Sequence, residues 1–262
     1  CTKTRFGHKE TISGFPDGRI IYNIHSEENL MTDIVSVLSL INYGFVLIFG
    51  IIVSFYFAGI QWEDNKRLFI LTTVLFVLFQ ALFYVLLGEN VLFKCYPVLI
   101  HIPLILIIRY ICHQNIYISF IAVMSAYLMC TPRKWFGTLA KYIFPEIPVI
   151  SDVVTIVITI PLLIVVIKYI SPYIIKLKEE SKNIISMFFL LPLTYYILEY
   201  ALTVYTNLLY TGKAVIIEFM DSFIVVLYFF LSIGTLSMSN KKNTAERENI
   251  ILSAAAAQAE KD

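Results

Sequence analysis

The sequence predicts an all-α fold, a polytopic transmembrane bundle of about seven spans followed by a cytoplasmic linker helix, and three observations predict it. Seven apolar stretches, each about long enough to cross a bilayer, follow one another between Ile34 and Met238. The chain is 58% hydrophobic and 15% charged, with a mean hydropathy of +0.77, far from the balance of ordinary soluble domains. Residues 34–60, 68–87 and 184–210 are apolar nearly all round, whereas a soluble helix of that length keeps a polar face.

Three segments follow in order: a polar 1–30, a membrane domain 31–238 and a charged, helix-prone 239–262. The first carries no signal-peptide core. It opens on Cys1, and Met31 stands directly before the first span, so Met31 is the expected start and 1–30 the expected upstream sequence, packing little on the spans. The spans are expected at 34–60, 68–87, 97–112, 116–144, 152–176, 184–210 and 214–238. The third is the weakest. It is short, contains Pro97 and Pro103 and ends near Arg109, so a tilted, re-entrant or buried segment within a six-span bundle is the alternative. The fourth carries Pro132, Arg133 and Lys134 in its middle, where a break into two pieces is expected.

Short-loop charges set the orientation. With the C-terminus inside, the inner loops hold Lys66, Arg67, Lys176, Lys178, Lys182, Lys241 and Lys242, and the outer loops only Lys94 and Lys213. Trp62, Tyr96, Tyr173 and Tyr210 fall near span ends, where aromatic anchors sit.

An ionisable group inside a span costs at least ~2.5 kcal/mol and therefore needs a partner, a wet cavity or a route to the headgroups. Arg133, Lys134 and Lys141 in the fourth span, Glu199 in the sixth, and Glu218 and Asp221 in the seventh are the informative ones. Basic groups on one helix and acidic groups on two others predict that these spans meet in ion pairs, either as structural glue or around a ligand-responsive cavity that Tyr195 and Tyr196 would line. Lys168 lies near a predicted inner boundary and is expected to snorkel. His101 and His113 have no second ligand at metal spacing, so no metal site is expected. Cys1, Cys95, Cys112 and Cys130 show no CxxC pairing and read as thiols. There is no HExxH, GxSxG or glycine-rich phosphate loop, so no catalytic residue is assigned to this chain, and no internal repeat of the transporter kind is evident. A net charge of +1 points to no nucleic acid or acidic partner.

Residues 244–262 are rich in Ala, Glu, Gln and Lys and predict a helix. Leu236, Asn243, Ile250 and Ala257 recur at sevens, which allows a two-stranded seam leaving the last span.

Several strings, in this order, carry a family resemblance. They are Tyr96-Pro97 with Leu99-Ile100-His101-Ile102-Pro103-Leu104, Ala126-Tyr127-Leu128 with Cys130, Pro132, Arg133 and Trp135, Pro192-Leu193 with Tyr195-Tyr196, and Glu199-Tyr200 with Thr203-Val204-Tyr205-Thr206. Leu208-Leu209-Tyr210, Glu218-Phe219-Met220, Glu248-Asn249-Ile250-Ile251-Leu252 and Gln258-Ala259-Glu260-Lys261 complete the set. Over 31–262 the chain resembles the N-terminal membrane module of bacterial GHKL-type, Agr-like sensor histidine kinases. The resemblance implies a multi-pass bacterial cell-membrane sensor, homodimeric and in contact with lipid, that relays an extracellular or membrane signal such as a peptide. It implies that a phosphoacceptor His, an ATP-binding domain using ATP and Mg, and a response-regulator partner belong to a kinase region beyond Asp262. This part alone needs no cofactor. Ala254-Ala255-Ala256-Ala257 departs from the bulkier linkers of that family. The runner-up is a small secondary transporter or its accessory subunit, in which the buried charges would carry protons or substrate. A membrane hydrolase is a third class, without a catalytic constellation to support it.

Overall fold

A computed structural model describes residues 18–206 and 215–259, with side chains from residue 34 onward apart from a few positions that include Glu218. Among the described residues there is no strand, and seven helical segments are long and apolar enough to span a membrane: Ile34–Phe57, Trp62–Leu87, Lys94–Ile111, Ile116–Ile143, Ile150–Glu179, Ile184–Tyr205 and Phe219–Ala256. They are called the first to seventh spans here. This architecture is that of a multi-pass membrane protein. The second span shows why, since Leu71, Leu78, Val85 and Leu86 stand exposed along it with no polar face to shield them.

The fourth span is the hub. Of its most apolar stretch 78% is buried, against 11% for the second span, and it packs on the first, third, fifth, sixth and seventh. Without a hydrophobic drive inside lipid, such packing rests on close contact and interhelical hydrogen bonds, which small residues permit. Gly137 supplies that contact. A Cβ there would collide with the Thr155 hydroxyl and come within 2.9 Å of the Ser151 carbonyl on the fifth span.

Proline and ladder slips shape the other walls. The third span alternates α-helical and π-helical turns, Pro97–His101 and Ile107–Ile111 being π-helical. The Ile102 amide bonds the Pro97 carbonyl five residues back, and Pro103 next to it has no N–H to give to the ladder. The segment doubted as a span is therefore a complete but irregular helix. Similar turns occur at Val166–Ile170 and Ala201–Tyr205. The expected break in the fourth span is slight. It falls at Met129, between Ile116–Leu128 and Cys130–Ile143, where Pro132 lies in the first turn of the second piece and its missing N–H is tolerated.

The first helix begins at Gly18 and runs unbroken to Phe57, so the backbone of 18–30 continues the first span. Residues 1–17 lie outside the described residues, as do the side chains of 18–33, on which the expected loose packing of 1–30 depends. At the far end of the chain, the helix Val215–Ala259 carries the last span straight into the charged tail. Ser239 donates to a Glu180 carboxylate oxygen at 2.8 Å, and the left-handed Gly59 sits against the Lys178 ammonium, so three of the loops assigned to one side gather at one end of the bundle. Leu236 is wholly buried against Ile118, Leu177 and Phe188 of the same chain, which corrects the proposed seam: its first position already has an intramolecular partner.

Candidate functional site

A cavity of about 530 Å³ lies among the first, second, third, fourth and sixth spans. Its wall is largely apolar, with Tyr96 and His101 from the third span, Tyr127 and Lys134 from the fourth, and Tyr200 and Thr203 from the sixth as the main polar groups. Tyr96 therefore faces the interior, where the sequence suggested an interfacial anchor.

Local geometry explains why these side chains converge. Tyr127 and Lys134 are seven apart and share one face of the fourth span, and Tyr196, Glu199 and Thr203 share one face of the sixth by the same helical spacing. The π-helical turn Ala201–Tyr205 keeps Thr203 and Tyr205 at the cavity, and the turn Pro97–His101 does the same for His101.

Beside the cavity lies a satisfied carboxylate. Glu199 is 1% exposed and accepts from the Lys134 ammonium at 3.4 Å, from the Thr203 hydroxyl at 3.2 Å and from the Tyr127 hydroxyl through a short hydrogen bond. Lys134 also lies 5.5 Å over the Tyr127 ring, a second favourable setting for its charge. One helix turn away, His101 Nδ1 and the Tyr196 hydroxyl share a 2.8 Å hydrogen bond. The rings of Tyr96, His101, Tyr127 and Tyr196 meet edge to face at centroid distances of 4.7 to 5.4 Å.

Two other polar contacts leave the cavity. Tyr195 donates to the Asp221 carboxylate and backbone carbonyl, tying the sixth span to the seventh. Arg133, only 1% exposed, turns to the fifth span, where Nη1 donates to the Thr159 hydroxyl at 2.9 Å and that hydroxyl donates in turn to the Thr155 carbonyl at 2.6 Å. Its Nε has no partner, and among the described residues no carboxylate lies within ion-pair distance. The fourth, sixth and seventh spans do meet, and Lys134 finds Glu199. The expected pairing of Arg133 or Lys134 with an acidic group of the sixth or seventh span is made by Lys134, and Arg133 turns elsewhere because neighbouring residues on a helix point about 100° apart. Glu218 belongs to the seventh span's helix, and its side chain lies outside the described residues. Lys141 and Lys168 are exposed at the bundle surface.

Sequence reasoning assigned no role to His101, Tyr127, Thr203 or the first-span wall. The seven-residue interval from Tyr127 to Lys134 and the four-residue interval from Glu199 to Thr203 were the available signals. Among the described residues no group of His, Cys, Asp and Glu side chains converges as a metal site, and Cys95, Cys112 and Cys130 are free thiols. Protein-family models, curated proteins and solved structures all give no match to this chain.

Proposed function

We propose that the chain is the membrane-embedded, dimerising input domain of a bacterial two-component sensor histidine kinase, relaying an extracellular or membrane-borne signal, peptides among the candidates, to a cytoplasmic kinase region. One observation carries the reading. The helix Val215–Ala259 has 45 residues, about 68 Å at 1.5 Å per residue, while a bilayer core is about 30 Å thick. More than half of it therefore projects as a rigid rod, and its last stretch is exposed. A rod continuous with a span is the element that a change of packing in the membrane can rotate or shift.

The bundle supplies an input end for such a rod. Tyr196 touches the cavity wall through His101, and its neighbour Tyr195 holds Asp221 near the N-terminal end of the helix that continues into the rod. Arg133, Lys134, Glu199 and Asp221 are the coupling candidates. In this reading the N-terminus is outside and the C-terminus cytoplasmic, as the short-loop lysines and arginines require. The homodimer contact falls on the exposed Ile250, Ile251 and Leu252 rather than on Leu236. The competing transporter reading draws on the Lys134–Glu199 pair beside the cavity, where a proton-coupled carrier would also place charges.

The test combines topology with assembly. In a cysteine-free background in native membranes, Cys at position 240 should resist an impermeant maleimide added from outside and Cys at position 146 should react. Cys at 250 or 251 should cross-link between copies on mild oxidation. Outside labelling at 240 overturns the orientation, and an uncross-linked tail together with saturable solute uptake into proteoliposomes favours the transporter.

A further inference from the structure

We propose that the cavity is a binding site for a small amphiphilic anion, with its acid group beside Lys134 and its apolar body on Leu47, Ile51, Ile100, Leu104 and Val123. This deepens the sensor reading by naming the chemistry of the signal, and it rests on that reading only for what binding does, not for binding itself.

Size comes first. About 530 Å³ falls within the roughly 300–1,000 Å³ of small-molecule sites and is too small for a folded partner. Charge comes second. Among the described residues that line the cavity, the charged ones are Lys94 and Lys134, both basic. Glu199, the nearby carboxylate, is 1% exposed and its oxygens are engaged by Tyr127, Lys134 and Thr203, so it offers no acceptor to an incoming cation. The Lys134 side chain lines the cavity and is 28% exposed, so an acid group can approach its ammonium from the cavity side.

Aromatic chemistry comes third, and it removes the main rival. A tyrosine-lined pocket can also cage an organic cation. Here Lys134 itself lies over the Tyr127 ring at 5.5 Å, so the protein already supplies the cation for that face and would repel a second. The rest of the wall mixes tyrosines with an aliphatic patch of Leu47, Ile51, Ile100, Leu104 and Val123, and that patch suits a hydrocarbon chain or apolar side chains. Two sources share this chemistry, a single-chain fatty acid and a short apolar peptide with a free carboxylate.

The full chain in lipid nanodiscs provides the test, read by direct binding. A dansylated undecanoic acid and its methyl ester form one arm, and an N-acetylated apolar tripeptide acid and its amide, run as competitors, form the other. At least one acid should bind saturably and about ten-fold more tightly than its neutral form, and the arm that does so identifies the source. Gly50 lines the cavity, and a Cβ built there meets nothing within 4 Å, so Gly50→Phe should grow into the space, leave thermal stability near the parent's and abolish binding. Lys134→Gln should weaken the acid about ten-fold and leave the ester unchanged. Should that variant fail to fold, Lys134→Met with Glu199→Gln removes both charges together and must show the same loss. Equal binding of acid and neutral forms, no saturable binding of either acid, or binding that survives Gly50→Phe overturns the proposal. Because binding is measured without any kinase output, its failure leaves the input-domain reading standing, and failure of that reading leaves a measured affinity intact.

Discussion

Arg133 and Lys134 are consecutive cations on the most buried helix of the molecule, and they reach opposite ends of the electrostatic range. Lys134 turns to the sixth span, where a carboxylate, a phenol ring and the cavity receive it. Arg133 turns to the fifth span, where it donates to the Thr159 hydroxyl, and among the described residues its Nε has no partner. The two regions hold together by different means. The seam between the fourth and fifth spans is a small-residue contact of Gly137 with Ser151 and Thr155, through which a guanidinium is threaded. The cluster between the fourth and sixth is a hydrogen-bond network whose members depend on one another. Position along the chain thus says little about how a buried charge is compensated, while direction around the helix decides it.

The largest effect is expected where that network is broken. Glu199→Ala takes a buried carboxylate away from Lys134, Tyr127 and Thr203 together, so it should cost about 3 kcal/mol, the low end for a broken buried pair because Lys134 is partly open to the cavity. Adding Lys134→Met should recover most of that loss in a thermal-denaturation cycle in detergent. Simple addition of the two single losses would mean that the residues are not coupled.

The seam should respond next. Gly137→Ala drives a methyl group into Thr155 and the Ser151 carbonyl and forces the two helices apart, at a cost of about 1–3 kcal/mol. Thr155→Ala in the same chain should relieve part of it, because the nearest obstacle is then gone. A Gly137→Ala protein that melts at the parent temperature would show the spans to be more loosely packed than described.

A smaller loss is expected for Tyr196→Phe, which removes one neutral hydrogen bond, to His101, and keeps the ring contacts with Tyr127. Interhelical hydrogen bonds within membranes average about 0.6 kcal/mol, and the melting temperature should fall accordingly little. Arg133→Met should come last. Replacing a buried charge by an apolar chain of similar length is neutral or favourable when the charge lacks a full set of partners, so stability should stay within about 1 kcal/mol of the parent or rise. A large loss on Arg133→Met would mean that the guanidinium has a stronger acceptor than Thr159, and the contrast with Lys134 would disappear.

Much of this was legible in the sequence. The span lengths, the irregular third span with its two prolines, and the continuation of the last span into a helical tail follow from hydropathy, proline chemistry and helix propensity. The candidate site was half legible. Lys134, Glu199 and Asp221 were marked by the cost of placing charged groups in lipid, Tyr195 and Tyr196 were expected beside them, and the structure gives each a partner. Tyr127, Thr203 and His101 carried no such mark, because hydroxyls and a neutral imidazole are cheap enough in a span to be common there.

By itself the sequence determined the all-α architecture and the set of groups that had to find company inside a membrane, because the transfer cost of each residue is a local property. Only the tertiary structure decided which group found which partner, that Leu236 serves the core rather than a seam, and that spans from both halves of the chain enclose one cavity. Those outcomes depend on the rotation of each helix about its axis, which is set by the fit of small residues such as Gly137 and by single-residue slips of the backbone ladder at Pro97–His101 and Ala201–Tyr205. A slip of one residue turns a face by about 100° and leaves the composition unchanged.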